Sequence, residues 1–319
     1  GLDPNSAHDV AVLKSTEASF LTLKVAPNYV TLVSLEGEGA EWSQVQLLPP
    51  PLPLRRLEFL GDSITVGFGN ICQMTHANGC MVEAESFAES WTHLVCEALE
   101  AQCHVTAWSG SGLVQNCCGG ATLMPDVWRR SLATLPAADT GDAHGTTPEN
   151  EWDFSGEWKA DAVVINLGTN DKLGERPQLV AQFRRAYLDL VLSVARSYGS
   201  STKFFLACGP MDDAFCAHVE WVIASVSAEP HLLSASFLDF RGYLDGSDGS
   251  RCCGHPNARV HNAMAASATE LIRDSMGWSW GWSLPVALDL SAPAALAAPA
   301  LALGGAVLRR YCRSPQHIL

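Results

Sequence analysis

The sequence predicts an α/β protein built on a doubly wound parallel sheet, and two of its patterns carry that prediction. From residue 54 to residue 276, short apolar strand-like segments alternate with longer segments of helical spacing. The segment 162–167 is apolar except at Asn166, as expected for a strand that helices cover on both faces. Repeated alternation of strands and helices favours parallel strands, because each helix returns the chain to the same end of the sheet.

The expected elements follow one another from Leu54 onward. The strands are expected at 57–60, 104–108, 162–167, 203–208 and 236–240, and the helices at 86–100, 179–194 and 215–226, with a short helix within 126–135. A last helix is expected after His255 and ends at Met276. The helix 179–194 has the clearest signal, because its apolar residues recur at the 3.6-residue spacing of one helix face.

Two segments precede the region 54–276, which we interpret as the main domain. Residues 1–48 contain alternating strand-like runs and are expected to form a short β-rich segment, too short to close a sandwich of its own. Residues 49–53, Pro-Pro-Pro-Leu-Pro, are expected to form a stiff linker. Because the chain opens on Gly1 without an initiator Met, we interpret it as a fragment or a processed form.

The C-terminal tail, residues 277–319, is rich in Trp and Ala. Its segment 290–308 has no charged residue and is followed by Arg309 and Arg310, a pattern that suits a membrane anchor. The same segment is rich in alanine and contains prolines, which weakens its tendency to enter a membrane. A low-complexity tail is therefore favoured, and a membrane anchor is the alternative.

The charge and cysteine content exclude some classes of partner. The net charge is −14 and the basic residues form only short pairs, so a nucleic-acid partner is not expected. Eleven cysteines favour an oxidising compartment, and we expect a secreted or luminal protein rather than a cytoplasmic one. The sequence has no C-x-x-C or H-x-x-x-H spacing, so disulfides are favoured over a zinc site and no metal or cofactor is predicted.

Four residues that could take part in catalysis follow predicted strands. Ser63 follows the first strand, Gly110 the second and Asn170 the third, and His255 lies beyond the last. In an open parallel sheet, reacting groups collect at the carboxyl ends of the strands. A serine becomes a strong nucleophile when a base takes its proton, and the resulting oxyanion needs hydrogen-bond donors. The four residues together predict an acyl-transfer site, although each alone is more often a turn or helix-cap residue.

Two further residues have weaker signals. Trp108 ends the second predicted strand, and it is expected either in the core or as a substrate-binding wall of the site. His261 lies six residues past His255 in the last predicted helix, so it is expected to point away from the site into solvent.

The blocks that contain these residues resemble a known superfamily. Gly61-Asp62-Ser63, Gly168-Thr169-Asn170-Asp171 and Gly254-His255-Pro256 resemble the GDSL/SGNH hydrolases, and the strings 58–65, 108–112 and 208–211 are similar to carbohydrate esterase family 2. The resemblance covers residues 54–276. It implies a flavodoxin-like SGNH hydrolase fold, acetyl esterase activity on xylan and related polysaccharides, and a preceding jelly-roll domain. Residues 1–48 would then be a truncated jelly roll.

The resemblance also implies a role for each site residue. Ser63 would be the nucleophile and His255 the base, and the oxyanion hole would use Ser63, Gly110 and Asn170, with Gly112 as an alternative to Gly110. Members commonly carry an acid two or three residues before the histidine. Here those positions are cysteines, Cys253 and Cys252, so the partner of His255 is expected to be Asp248, Asp245 or a backbone carbonyl.

The sequence therefore predicts a serine esterase that hydrolyses short-chain esters, acetyl above all, of a carbohydrate. One alternative keeps the same site but acts on a lipid or a thioester. A second alternative is a non-catalytic carbohydrate-binding protein that retains the fold, which the missing acid favours. The expected partner is an acetylated carbohydrate or another small ester, and no oligomeric state is predicted.

Overall fold

Five parallel strands form the central sheet of this protein, in the order β2-β1-β3-β4-β5. The computed structural model describes residues 53–71, 84–117, 119, 122–130, 152–228, 230–244, 251–252 and 254–279. The strands are β1 (Arg55–Gly61), β2 (Ala101–Ala107), β3 (Ala162–Asn166), β4 (Lys203–Cys208) and β5 (Ala235–Asp239). The prediction of a parallel, doubly wound α/β sheet is confirmed.

The strand order reverses at β1, which lies between β2 and β3. Gly61, the last residue of β1, pairs with Ala107 on one side and with Asn166 on the other. The carboxyl ends of these three strands therefore lie side by side. In open α/β sheets the crevice beside such a reversal is the usual place for a ligand site.

Helices cover both faces of the sheet. They are α1 (Ser63–Val66), α2 (Trp91–Ala98), α3 (Met124–Val127), α4 (Val180–Tyr198), α5 (Cys216–Ser227) and α6 (Ala258–Met276). Short 3-10 turns lie at Phe87–Glu89, Thr169–Asp171 and Pro177–Leu179. A separate two-stranded antiparallel ladder joins β6 (Arg251–Cys252) to β7 (His255–Pro256).

The alternating side chains of each central strand enter two separate cores. On one face, Leu60 packs with α4 and α5, and on the other face Phe59 packs with α2 and α6. All five residues of β3 are buried. Burial on both faces is the physical reason for the unbroken apolar pattern of this strand.

Some element boundaries differ from the predicted ones. The helix predicted at 86–100 divides at Ser90, because the Ser90 hydroxyl accepts a hydrogen bond from the His93 N–H at 3.2 Å and so begins α2 as a cap. The short helix expected within 126–135 begins earlier, as α3 (Met124–Val127), and residues 131–135 lie outside the described residues.

Two disulfides join elements within the described residues. Cys96–Cys103 connects α2 to β2, and Cys208–Cys216 connects the end of β4 to the start of α5. Each closes a short loop next to a sheet strand.

The predictions for the flanking segments concern residues that the structure does not describe. These are residues 1–48, most of the 49–53 linker, and the tail beyond residue 279, including 290–308. Within the described ranges, no helix combines the length and the apolar character that a membrane crossing requires.

Candidate active site

Ser63 lies at the carboxyl end of β1, as its sequence position predicted. It is the first residue of α1 rather than a simple turn residue. The preceding Asp62 caps this helix, because one of its carboxylate oxygens accepts a hydrogen bond from the Ile64 N–H at 3.0 Å. The chain leaves α1 through Gly67, whose φ of 86° suits glycine. Ser63 is thus held between a strand end and a capped helix start, and its side chain is mostly buried.

His255 reaches Ser63 from the far end of the sequence. It lies in β7, directly after Gly254, whose φ of 74° allows the tight turn out of β6. His255 Nε2 is 2.8 Å from Ser63 Oγ, and the two residues are 192 positions apart. At this distance the imidazole can take the hydroxyl proton directly.

An aromatic side chain that the sequence did not single out contacts this pair. The Phe68 ring meets the His255 ring edge-on, with 5.0 Å between the ring centroids. The Phe68 N–H also donates to the Ser63 carbonyl oxygen at 2.9 Å. Phe68 therefore restrains both residues, and its position five residues after Ser63 is the only sequence signal for it.

Gly110 lies in the loop that follows β2. Its φ of 82° is in the left-handed region, and the adjacent turn is closed by a bond from the Ser111 N–H to the Trp108 carbonyl at 3.1 Å. Within the described part of the chain, the N–H groups of Ser63 and Gly110 donate no hydrogen bond. Gly112, the alternative, donates its N–H to Asn116 Oδ1 at 3.1 Å. Gly110 is therefore the better candidate for a donor to a substrate.

Asn170 connects the Ser63 and Gly110 segments. It lies in the 3-10 turn after β3 and is buried. Its side-chain amide donates to Asp62 Oδ2 at 3.0 Å and to the Ser111 carbonyl oxygen at 2.8 Å. The structure thus brings together the segments that carry Ser63, Gly110 and Asn170. Both hydrogens of the Asn170 amide have acceptors here, so a bond to a substrate oxygen would replace or share one of them.

The buried carboxyl group of Asp171 lies next to these residues. Asp171 is fully buried, and burial raises its pKa to about 6, while hydrogen bonds from the backbone N–H groups of Leu113, Val114 and Gln115 act in the opposite direction. The group is therefore ionised at neutral pH.

The expectation for His261 is wrong. Its side chain is fully buried between α6 and α2, and its Nδ1 accepts a hydrogen bond from the Trp91 N–H at 3.1 Å. Burial, together with the nearby His255, lowers the pKa of His261 to about 3. His261 is therefore neutral at pH 7. It is buried because it lies on the face of α6 that packs against α2.

Trp108 lies just after β2, where its N–H donates to the Gly61 carbonyl oxygen at 3.2 Å. Its side chain is half-buried, beside the carboxyl end of β1. This location suits both roles that the sequence left open, and the substrate-wall role stays a prediction.

The partner of His255 also stays a prediction. Asp245 and Asp248 lie outside the described residues. The backbone of Cys252, one of the two positions where an acid was expected, pairs with that of His255 in the β6–β7 ladder. Among the described residues, no group of three or more His, Cys, Asp or Glu side chains is placed to hold a metal ion.

Comparison with protein families agrees with this geometry. The model of the GDSL-like lipase/acylhydrolase family matches residues 57–268, a range that contains Ser63, Gly110, Asn170 and His255.

Individual relatives are carbohydrate-active proteins. The cellulase/esterase CelE of Acetivibrio thermocellus is 31% identical over 281 residues, a match that covers 85% of this chain and 30% of CelE. An acetylxylan esterase/glucomannan deacetylase of Cellvibrio japonicus is 26% identical over 252 residues, which cover 78% of this chain and 64% of that protein. The chain therefore spans less than two thirds of the length of either relative.

A solved structure shows the same arrangement of the backbone. The crystal structure of a carbohydrate esterase family 2 enzyme with its carbohydrate-binding domain, from Corynascus thermopiles (Myceliophthora fergusii), matches with a TM-score of 0.60 and 30% identity. The match covers 73% of this chain and 69% of that chain.

Proposed function

Because this chain belongs to the GDSL-like lipase/acylhydrolase family and groups within it with carbohydrate esterase family 2, we propose that it is a serine esterase that deacylates a carbohydrate. The observation that carries the proposal is the 2.8 Å contact between Ser63 Oγ and His255 Nε2. A hydroxyl in contact with an imidazole at the switch point of a parallel sheet is the arrangement that acyl transfer requires.

In the first half of the reaction, Ser63 Oγ attacks the ester carbonyl carbon while His255 Nε2 takes the hydroxyl proton. The carbonyl oxygen becomes an oxyanion, which accepts hydrogen bonds from the N–H groups of Ser63 and Gly110 and from the Asn170 amide. The hydrogen bonds from these donors become stronger as charge develops on the oxygen in the transition state, and this lowers the activation barrier. The intermediate collapses when His255 returns the proton to the departing sugar hydroxyl, leaving an acyl-serine.

In the second half, water replaces the sugar. His255 takes a proton from the water as it attacks the acyl carbon, and the same donors receive the oxyanion. Collapse returns the proton to Ser63 Oγ and releases the carboxylic acid. His255 carries a positive charge in each intermediate, so a group behind its Nδ1 would stabilise that charge. Asp245, Asp248 or a backbone carbonyl remains the proposed partner.

The proposed substrate is a neutral polysaccharide with short acyl groups, acetyl above all. The names of the relatives support this choice, since one acts on acetylated xylan and glucomannan. The net charge of −14 also favours a neutral chain, because an anionic polymer would be repelled. No metal or organic cofactor takes part in the proposed steps.

The test compares the full chain with Ser63→Ala on a chromogenic acetate ester and on acetylated xylan and glucomannan. A matched control is Ser200→Ala, because Ser200 is exposed and precedes β4, at the amino ends of the strands and away from the site. The wild type and the control should release acetate from both kinds of substrate, and Ser63→Ala should fall to background.

Two results would redirect the proposal. Equal background release by wild type and Ser63→Ala would reject an esterase and favour the non-catalytic binding protein. Release from the small ester alone would favour the lipid or thioester substrate.

A further inference from the structure

The loop that carries Gly110 needs an external support. Trp108 is still bonded to β1 through the Gly61 carbonyl, but residues 109–117 form neither helix nor strand, so the ladder of the sheet does not hold them. Two backbone bonds close the loop on itself, from the Ser111 N–H to the Trp108 carbonyl at 3.1 Å and from the Cys117 N–H to the Gly110 carbonyl at 3.0 Å. An oxyanion donor must keep its place to a fraction of an ångström, which two hydrogen bonds within the loop do not ensure.

The side chain of Asp171 supplies such a support. Its Oδ1 accepts three backbone N–H bonds, from Leu113 at 3.1 Å, Val114 at 2.7 Å and Gln115 at 3.2 Å. Its Oδ2 lies 3.1 Å from the same Leu113 nitrogen. Three consecutive N–H groups therefore surround one carboxylate, an arrangement in which backbone amides bind an anion.

The loop also binds the backbone of the turn after β3. The Gln115 side-chain amide donates to the Asp171 carbonyl oxygen at 2.9 Å. A Cβ at Gly112 would lie 2.9 Å from Asp171 Oδ2 and still closer to the Gln115 carbonyl oxygen. The Gln115 carbonyl of the same loop and the Asp171 carboxylate thus both exclude a Cβ at position 112.

Asp171 does not serve as a helix cap. It is the last residue of its 3-10 turn, and the N–H groups that it accepts belong to another loop, 56 to 58 positions earlier in the sequence. Because the residue is fully buried, these bonds are the reason that its charge is tolerated in the interior. Tyr187 is the titratable group beside it, and burial together with the Asp171 charge raises the pKa of Tyr187 above its usual value. The tyrosine therefore stays neutral, and Asp171 is the group of this pair that carries the charge.

We propose that Asp171 is a positioning residue for the esterase site. Its carboxylate fixes the backbone of residues 113–115, while the neighbouring Asn170 fixes the Ser111 carbonyl, and together they hold the Gly110 N–H where the oxyanion forms. Asn170 thus binds the loop at Ser111, and Asp171 binds it at residues 113–115. This inference rests on the proposed function, since it requires an oxyanion to be stabilised.

Two substitutions test the inference with graded strength. Asp171→Ala removes every acceptor, whereas Asp171→Asn keeps one oxygen that can accept the three bonds now made by Oδ1. We expect kcat to fall about 100-fold in Asp171→Ala and about three- to tenfold in Asp171→Asn, with KM changed less than about threefold. Affinity for a boronic acid that forms an oxyanion adduct on Ser63 should fall in parallel with kcat, because the adduct mimics the transition state.

A second measurement does not depend on activity. Hydrogen–deuterium exchange of the peptide that spans 113–115 should accelerate in Asp171→Ala and much less in Asp171→Asn, because these amides lose their acceptor. The matched control is Asp161→Ala. The Asp161 carboxylate accepts a hydrogen bond from the Arg56 N–H at 2.8 Å, at the amino ends of the strands and away from the site. This control should leave both kcat and the exchange at 113–115 unchanged.

The outcomes separate this inference from the proposed function. A kcat within threefold of wild type in Asp171→Ala, or unchanged exchange at 113–115, would overturn the role of Asp171. An inactive wild type would overturn the proposed function alone, and the exchange comparison would still decide whether Asp171 holds the loop. If Asp171→Ala does not fold, Asp171→Asn decides by the same readouts. It should then show a lower kcat and faster exchange, and wild-type values for both would reject the inference.

Discussion

Glu58 is a buried carboxyl group that should make the stability of this protein depend on pH. It lies in the middle of β1 and is only 3% exposed. Burial raises its pKa from 4.5 to about 7, while a hydrogen bond with Tyr198 of α4 acts in the opposite direction. His104 on β2 is the register partner of Glu58, and burial lowers the pKa of that imidazole. Burial and the Glu58 charge raise the pKa of Tyr198, so the phenol stays neutral.

The sign and size of the effect follow from the two pKa values of Glu58. The folded state keeps the proton at a pH where the unfolded chain has already lost it. The contribution to stability is therefore full below pH 4.5 and is lost as the pH rises through about 7. Each pKa unit corresponds to about 1.4 kcal/mol, so the difference between these values corresponds to about 3 kcal/mol.

The perturbation is Glu58→Gln, which removes the ionisable group and keeps an oxygen for Tyr198. The free energy of unfolding of this variant, relative to wild type, should increase by about 2–3 kcal/mol between pH 5 and pH 8, because wild type loses stability over this range and the variant does not. Urea unfolding of the full chain at the two pH values measures this difference. Glu270→Gln is the control, since Glu270 is exposed on α6 and its substitution should give the same small difference at both pH values.

The reasoning would be refuted if the stability difference between Glu58→Gln and wild type were the same at pH 5 and pH 8. That result would mean that the carboxyl group titrates alike in the folded and unfolded chain. A difference of the opposite sign would mean that the folded state favours the carboxylate.

Two predictions concern the proposed reaction. Asn170→Ala should lower kcat by about two orders of magnitude, because an oxyanion donor is lost. A decrease of less than threefold on the chromogenic ester would assign Asn170 to the turn instead. Asp245→Asn and Asp248→Asn, assayed separately, should identify the partner of His255, because the variant that loses the acid should lose turnover. If both keep wild-type activity, a Ser-His dyad or a backbone carbonyl becomes the better account.

The sequence supported the prediction of the individual site positions better than the prediction of their surroundings. Ser63, Gly110 and Asn170 follow strand ends, and a strand end is readable from a local apolar pattern and the polar residue after it. His261 shows the limit of this reasoning. Its helix was predicted, but the side of α6 that faces α2 depends on how the two helices pack.

Asp171 shows the same limit inside the site. An aspartate after a strand has the sequence signature of a turn or cap residue, and nothing local indicates that its acceptors bind residues 113–115. Phe68 is a similar case, because its contact with His255 depends on where the β6–β7 ladder places the imidazole.

The α/β class, the order of strands and helices along the chain, and the positions of Ser63, Gly110 and Asn170 after strand ends could be predicted from the sequence alone. These features depend on local patterns of apolar residues, caps and glycines, which one stretch of chain contains completely. Only the tertiary structure decided that Ser63 and His255 lie 2.8 Å apart, that Asn170 bridges Asp62 and Ser111, and that Asp171 is ringed by backbone amides. The physical reason is that each of these contacts joins segments that are distant in sequence, and their distances are set by the packing of the sheet against two helix layers.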